Sequence, residues 1–371
     1  MTQTASQHSV ESAREGIRNL VNNCAEVQAG ELVVLVNDPA LIEKGVGTLI
    51  EEAVQANGAR GAVIWVEPQG PNAAPRQGKG GPFSLTAEDV AMLLNADKVI
   101  AHADQETVTR YLADADKQPL LVTNRAGTLE DMASATARYP WGLVRAIYDL
   151  MNQELFPVGS SWRITSSGRT DLRGVVGEKT LRSIFFEDEI HAKNLARSFT
   201  NASAYLPVAS TEADGTVDVE WLGGRAELHP AHDPPCLEIK QNKIVSIGGG
   251  LQERQWVDEY WDATESLMHQ FGEKALVVDS WHSGAHPWSS SWAGGTRHLH
   301  FHMGRTSGKL GDFVFAGIKD YTLTVDGQAI VKDGRLAILD HPKVKAAAER
   351  YDVEDWREAW PKSNHWPVGS A

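Results

Sequence analysis

Five of the thirteen histidines in this 371-residue chain fall between Trp281 and Gly304, in Trp281-His282-Ser283-Gly284-Ala285-His286-Pro287 and, eleven residues later, His298-Leu299-His300-Phe301-His302-Met303-Gly304. On a β-strand, side chains two apart share a face, so His298, His300 and His302 can point one way while Leu299, Phe301 and Met303 pack on the other. The polar, glycine-bearing stretch Ser289–Thr296 between the two groups suits a hairpin, which would bring His282 toward His298 and His300. Three converging imidazoles form a site for a first-row metal, and imidazole suits Zn, Fe, Cu and Ni alike. A lone histidine is more often a hydrogen-bonded core residue. Five side by side serve a core poorly, because each brings polar nitrogens that must find partners.

The elements that must position these residues are legible in outline. The apolar spacing of Val10, Ala13, Ile17, Leu20, Val21 and Cys24 predicts an opening amphipathic helix. Glu31–Val36 and Ala62–Val66 read as strands flanking a helix that starts at Asp38-Pro39 and stops at Gly58, a βαβ unit with parallel pairing and a right-handed crossover. Gln69–Pro82 reads as a loop. Thr86 caps the next helix, Lys98–Ala101 and Leu120–Thr123 are further strands, and Thr128 starts another helix. His102 and Asp104 sit just past a strand end, where open α/β sheets place ligands, yet they also read as a helix start. No GxGxxG or phosphate loop follows any of these strands, so the first domain reads as a scaffold.

Near Asn152–Ser161 the pattern turns β-rich, which sets the expected domains at residues 1–155 and 156–371. Strands are expected at Trp162–Ile164, Ser166–Arg173, Thr216–Trp221, Leu237–Lys240 and Lys243–Ile247, with Gln241-Asn242 as a hairpin turn. A helix over Glu253–Phe271 leads into the histidine region, more strands follow it, and the tail from His341 reads as helical. The fold class is therefore α/β, a parallel-sheet N-terminal domain followed by a β-rich α+β domain that holds the metal.

Composition removes several function classes. With 35 basic against 49 acidic residues the net charge is −14, there is no basic run, and nucleic acid and anionic membranes are poor partners. Cys24 and Cys236 are far apart in sequence and make neither a disulfide framework nor a thiolate zinc site, which fits a reducing cytoplasm. No signal-peptide profile and no membrane-length apolar run is present. Twelve tryptophans are many, and some can wall an aromatic pocket.

The ordered set Gly168-Arg169-Thr170-Asp171-Leu172, Lys243–Ile247 with its glycine turn, Gly272-Glu273-Lys274-Ala275-Leu276-Val277 and His298–Gly304 resembles the M29 metallopeptidase superfamily. That superfamily holds the aminopeptidase T group and the 2,5-dihydroxypyridine 5,6-dioxygenase branch. The resemblance implies an M29 aminopeptidase-like fold, a metal in the second domain and a homo-oligomer. Where the peptidases carry His-x-Asp-Phe, this chain has His298-Leu299-His300-Phe301, and Glu273 matches one family glutamate. Loss of acidic bridges disfavours a two-metal site, since two close dications need anionic ligands. The dioxygenase branch uses two histidines and an aspartate on one iron. Its His-x-Asp maps onto His298 and His300, and its other histidine maps onto Ser280 without a gap or onto His282 with a two-residue gap. Asp279 is the fallback carboxylate.

Residues and resemblance together give a leading expectation, a mononuclear Fe(II) ring-cleaving dioxygenase that takes a small aromatic substrate and O₂. His282, His298 and His300 would hold the metal, His302 or His286 would serve as acid/base, Arg305 would neutralise an anionic group, and Trp281, Trp288 or Trp292 would wall the ring. The alternative is a hydrolase using Zn, Mn or Co, with Glu273 as ligand or base. A third class is a non-enzymatic domain that keeps the fold.

Overall fold

The computed structural model describes residues 2–67, 82–113, 115–177, 196–200, 203–207, 213–223, 228–230, 234–248, 278–289, 295–303, 315–351 and 356–357. They fall into two compact units. The first contains the chain up to Leu143 together with a later strand near residue 200, and the second contains most of the rest.

The first unit is built on a wholly parallel sheet. Its strands are β1 (Leu32–Asn37), β2 (Arg60–Trp65), β3 (Lys98–His102), β4 (Leu120–Asn124) and, out of sequence, β7 (Ala196–Phe199), in the spatial order β2-β1-β3-β4-β7. Parallel strands buried on both faces need apolar residues without alternation, and β1 supplies them. Val33 and Leu35 pack with Ala13 and Ile17 of α1 (Thr2–Arg18) and with Val46, Ile50 and Val54 of α2 (Lys44–Ala56). Val34 and Val36 pack on the other face with Leu93 of α3 (Ala87–Leu94) and Val108 and Leu112 of α4 (Gln105–Leu112).

Local chemistry fixes where these helices start. Thr86 accepts from the Asp89 amide, and the Asp89 carboxylate reaches back to Thr86, a reciprocal capping box; Thr128 and Asp131 repeat it ahead of α5 (Leu129–Ala133). Asp104 caps α4 by accepting from the Thr107 amide at 2.9 Å. The expected helix start at Asp38 is corrected: α2 begins at Lys44 behind Glu43. The Asp38 carboxylate accepts from the Ala40 amide and its carbonyl from Leu41 and Ile42, so Asp38 closes a local turn. Two short helices, α6 (Ala135–Arg138) and α7 (Trp141–Leu150), follow.

The second unit carries two antiparallel sheets. The larger has eight strands, β5 (Ser161–Thr165), β6 (Asp171–Val175), β9 (Asp214–Asp218), β12 (Cys236–Lys240), β13 (Lys243–Gly248), β17 (Thr322–Val325), β18 (Gln328–Lys332) and β19 (Arg335–Leu336), ordered β13-β12-β9-β6-β5-β17-β18-β19. The smaller has six, β8 (Ser203–Pro207), β10 (Trp221–Gly223), β11 (Leu228–Pro230), β14 (Val278–Gly284), β15 (His298–Met303) and β16 (Phe315–Lys319), ordered β11-β10-β16-β15-β14-β8. Gln241 and Asn242 turn the β12–β13 hairpin with φ of 50° and 64°, a pair of positive values matched to strand twist. After His341, α8 (Pro342–Ala348) confirms the start of a helical tail.

The Gly168-Arg169-Thr170-Asp171 motif proves to be a turn locked onto one buried carboxylate, and the expected strand there starts only at Asp171. Asp218 accepts from the Arg169 amide at 2.7 Å and from its Nε at 2.8 Å, while its own amide donates to Thr170. A Cβ at position 168 would lie 2.4 Å from the Asp218 Oδ2, so only glycine fits. The predicted Glu253–Phe271 helix and residues 69–81 of the predicted loop lie outside the described residues.

Candidate metal centre

The histidine hairpin forms as the spacing predicts. Strands β14 and β15 pair antiparallel with His282 directly opposite His300, Trp281 opposite Phe301 and Ser283 opposite Leu299. Because facing residues share a side of the sheet, His282, His300 and, two residues along, His298 lie on one face. The His282 and His300 rings meet edge to face, with centroids 4.5 Å apart. Both are buried, at 1% and 3% exposure, and His298 is half-buried.

Burial sets the protonation of His300. It drives the His300 imidazole down to about 3, with the neighbouring His298 adding to the effect. His300 is therefore neutral at ordinary pH, which is the state that ligates a metal, so binding there displaces no proton. A buried imidazole pair with His300 neutral fits a first-row dication. Among the described residues, however, no three His, Cys, Asp or Glu side chains are gathered in a metal-holding group. The three-imidazole convergence predicted from spacing thus reduces, among those residues, to the His282–His300 contact with His298 farther along the same face.

The other predicted residues separate. Trp281 is corrected: it lies on the opposite face, wholly buried, 4.6 Å between centroids from Phe301 and 6.4 Å from Trp162 of the larger sheet. The reason is the two-residue period of the strand, which sends neighbours 281 and 282 to opposite sides. Trp281 packs in the core between the two sheets, on the face away from His282 and His300. On that same far side the Ser283 and Tyr321 hydroxyls are 2.6 Å apart, and burial pushes the Tyr321 phenol up. His286 is buried beyond the end of β14, where its Nδ1 accepts from the amide of half-buried Trp288 at 3.2 Å. Glu273, Trp292 and Arg305, and the side chains of Asp279 and His302, lie outside what the structure describes.

Register adds two positions that the sequence reading missed. Tyr205 of β8 sits opposite His282, and Gly317 of β16 sits opposite His300, making one cross-strand row Tyr205–His282–His300–Gly317. Their places are set by pairing between strands far apart in sequence, for which no local motif exists.

No protein-family model matches this chain, and no curated protein does. Solved structures do. The 2,5-dihydroxypyridine dioxygenase of Pseudomonas putida KT2440 superposes with a TM-score of 0.62 at 14% identity, covering 91% of this chain and 99% of that one. The fold is M29-like. AmpT of Thermus thermophilus shares it with a TM-score of 0.50 at 10% identity, over 88% of this chain and 100% of that one. At these identities the M29-like likeness is one of architecture, a parallel-sheet unit followed by antiparallel sheets. Among the described residues no helix is long and apolar enough to cross a membrane.

Proposed function

We propose that this protein is a metal-dependent enzyme acting on small molecules, and specifically a mononuclear Fe(II) dioxygenase that opens the ring of a hydroxylated aromatic or heteroaromatic compound. The observation that carries the reading is the buried His282–His300 pair on adjacent strands of an M29-like fold, with His300 held neutral by burial. His282, His298 and His300 would hold the metal. When bound, iron supplies open positions at which a bidentate hydroxylated ring and O₂ can meet. The chain supplies the rest: an enclosed, water-poor face around the imidazoles, His302 or His286 to hold and move a proton, Arg305 to pair with an anionic group, and Trp288 or Trp292 as a flat wall. Because the His286 Nδ1 already accepts from the Trp288 amide, His286 acts through Nε2.

The competing reading is a Zn, Mn or Co hydrolase with Glu273 as ligand or base, favoured by the architecture shared with AmpT. Elemental analysis of protein purified without oxygen, beside His300→Ala, tests the first reading. About one iron per chain, lost in the variant, together with oxygen uptake on dihydroxylated pyridines or benzenes, supports it. Two zinc or manganese ions per chain with anaerobic turnover of amides would replace it with the second.

A further inference from the structure

The first unit, read from sequence as a scaffold, holds an unexplained polar cluster at the carboxyl edge of its sheet. In the order β2-β1-β3-β4-β7 the chain winds outward on one side of β1 through β2, then crosses back to β3, so the topological switch point lies between β1 and β3. Open parallel sheets hold ligands at that crevice. The strands end there on Asn37, followed by Asp38, and on His102, with Asn37 and His102 in register. Next to them β4 ends on Asn124 and β2 on Trp65, the latter in register with Asn37.

Four side-chain atoms in this cluster are buried without a hydrogen-bond partner: Asn37 Nδ2 and Oδ1, Asp38 Oδ2 and His102 Nδ1. Their residues are 0%, 0% and 1% exposed. The imidazole tautomer is set by its neighbours. Asn124 Oδ1 accepts from the Ala126 amide, which orients the carboxamide so that its Nδ2 donates to His102 Nε2 at 2.6 Å. Nε2 is therefore the acceptor and Nδ1 carries the hydrogen. Leaving so many enclosed polar atoms unsatisfied consumes a large share of a domain's stability, so a bound partner is the physical expectation.

The unsatisfied set is two donors, Asn37 Nδ2–H and His102 Nδ1–H, and two acceptors, Asn37 Oδ1 and Asp38 Oδ2. A primary carboxamide presents the complement, a carbonyl oxygen with two lone pairs and a nitrogen with two hydrogens. No cation is among the four groups, so a carboxylate would meet Asp38 uncompensated. Trp65, in register with Asn37, is the exposed aromatic beside this buried cluster, at 40% exposure. A Cβ on Gly47 would stand 3.2 Å from Asn37 Nδ2 and 3.5 Å from the Trp65 six-membered ring, so glycine at 47 lets the carboxamide and the indole both pack close to the same point of α2. We propose that the β1/β3 switch point of the first unit is a binding site for a small neutral aromatic carboxamide or lactam, its amide edge on Asn37, Asp38 and His102 and its ring against Trp65.

The proposal does not rest on the metal reading. It is tested on the full chain by calorimetric titration with benzamide and nicotinamide, benzoate being the charged control. The expected result is one site per chain, benzoate weaker by at least about tenfold, and a Trp65→Ala variant weaker by a similar factor with an unchanged melting curve. In ¹⁵N-histidine spectra the His102 Nδ1–H signal should shift on adding benzamide. The proposal is overturned if benzamide does not bind, if benzoate binds equally, if Trp65→Ala binds undiminished, or if a high-resolution crystal structure grown with benzamide shows only ordered water on the four atoms.

Discussion

Lowering the pH should unfold the first unit through one residue. Burial pushes the His102 imidazole down to about 3, against an unfolded value of 6.5. Below pH 6.5 the unfolded chain takes up a proton that the folded chain refuses, so the stability conferred by a neutral His102 is fully present above 6.5 and drains away as the pH falls toward 3. One proton of difference is about 1.4 kcal/mol per pH unit, hence about 2 kcal/mol between pH 7 and pH 5 and about 5 kcal/mol by pH 3. Asp38 pulls the other way, since burial raises its carboxyl and favours the folded state as pH falls. The reading must therefore be a difference between two proteins. His102→Gln keeps an oxygen that can accept from Asn124 Nδ2 and removes the titrating ring. Urea unfolding followed by circular dichroism at pH 7, 6 and 5 should show wild type losing about 2 kcal/mol more than the variant over that span. Parallel stability profiles for the two proteins would refute the burial argument, and with it the neutral tautomer on which the carboxamide cradle depends.

Other substitutions separate structural from chemical roles. Gly168→Ala must push the Asp218 carboxylate from the Arg169 amide and Nε that donate to it, and should lower stability by about 1–3 kcal/mol in denaturant titration. Trp281→Leu removes the ring between Phe301 and Trp162; the melting temperature should drop, and metal content per folded chain should stay at the wild-type value, whereas loss of metal without loss of stability would restore Trp281 to the site. Thr86→Ala removes the α3 capping box at a cost of about 1 kcal/mol, visible as a lower unfolding midpoint and no change in ligand or metal binding.

Much of the fold was legible because its signals are local. Strands β1 to β4 each carry a mainly apolar run, whereas β7, Ala-Arg-Ser-Phe, carries none and escapes a sequence reading; Thr86, Asp104 and Thr128 announce their helices by side-chain chemistry, and Gln241-Asn242 announces its hairpin. The His282–His300 pairing was legible for the same reason, since a hairpin joins near neighbours. What escaped depends on distant contacts or on competition between two local rules. Asp38-Pro39 satisfies the rule for a helix start, but the Asp38 side chain is spent on a tighter turn. Trp281 carries the composition of a pocket wall, and only strand phase shows that it belongs to the core. Asn37 and His102, 65 positions apart, meet through parallel register, so neither residue signals the other in sequence.

The late strand β7 gives the first unit an unusual biography. Asn124 and the other residues of β4 pair with Ala196–Phe199, and Arg197 holds the Cys24 carbonyl at 2.6 Å and stacks its guanidinium over Trp141. During synthesis the ribosome has therefore delivered the start of the second unit before the first can close its sheet. Until then β4 is an open edge, ready to pair with any extended chain. A protein cut at residue 155 lacks β7 and keeps that edge, and the β4–β7 pairing, between strands far apart in sequence, is a slow one to form. Each unit is thus drawn from separate stretches of the chain, and its completion waits on residues that arrive late in synthesis.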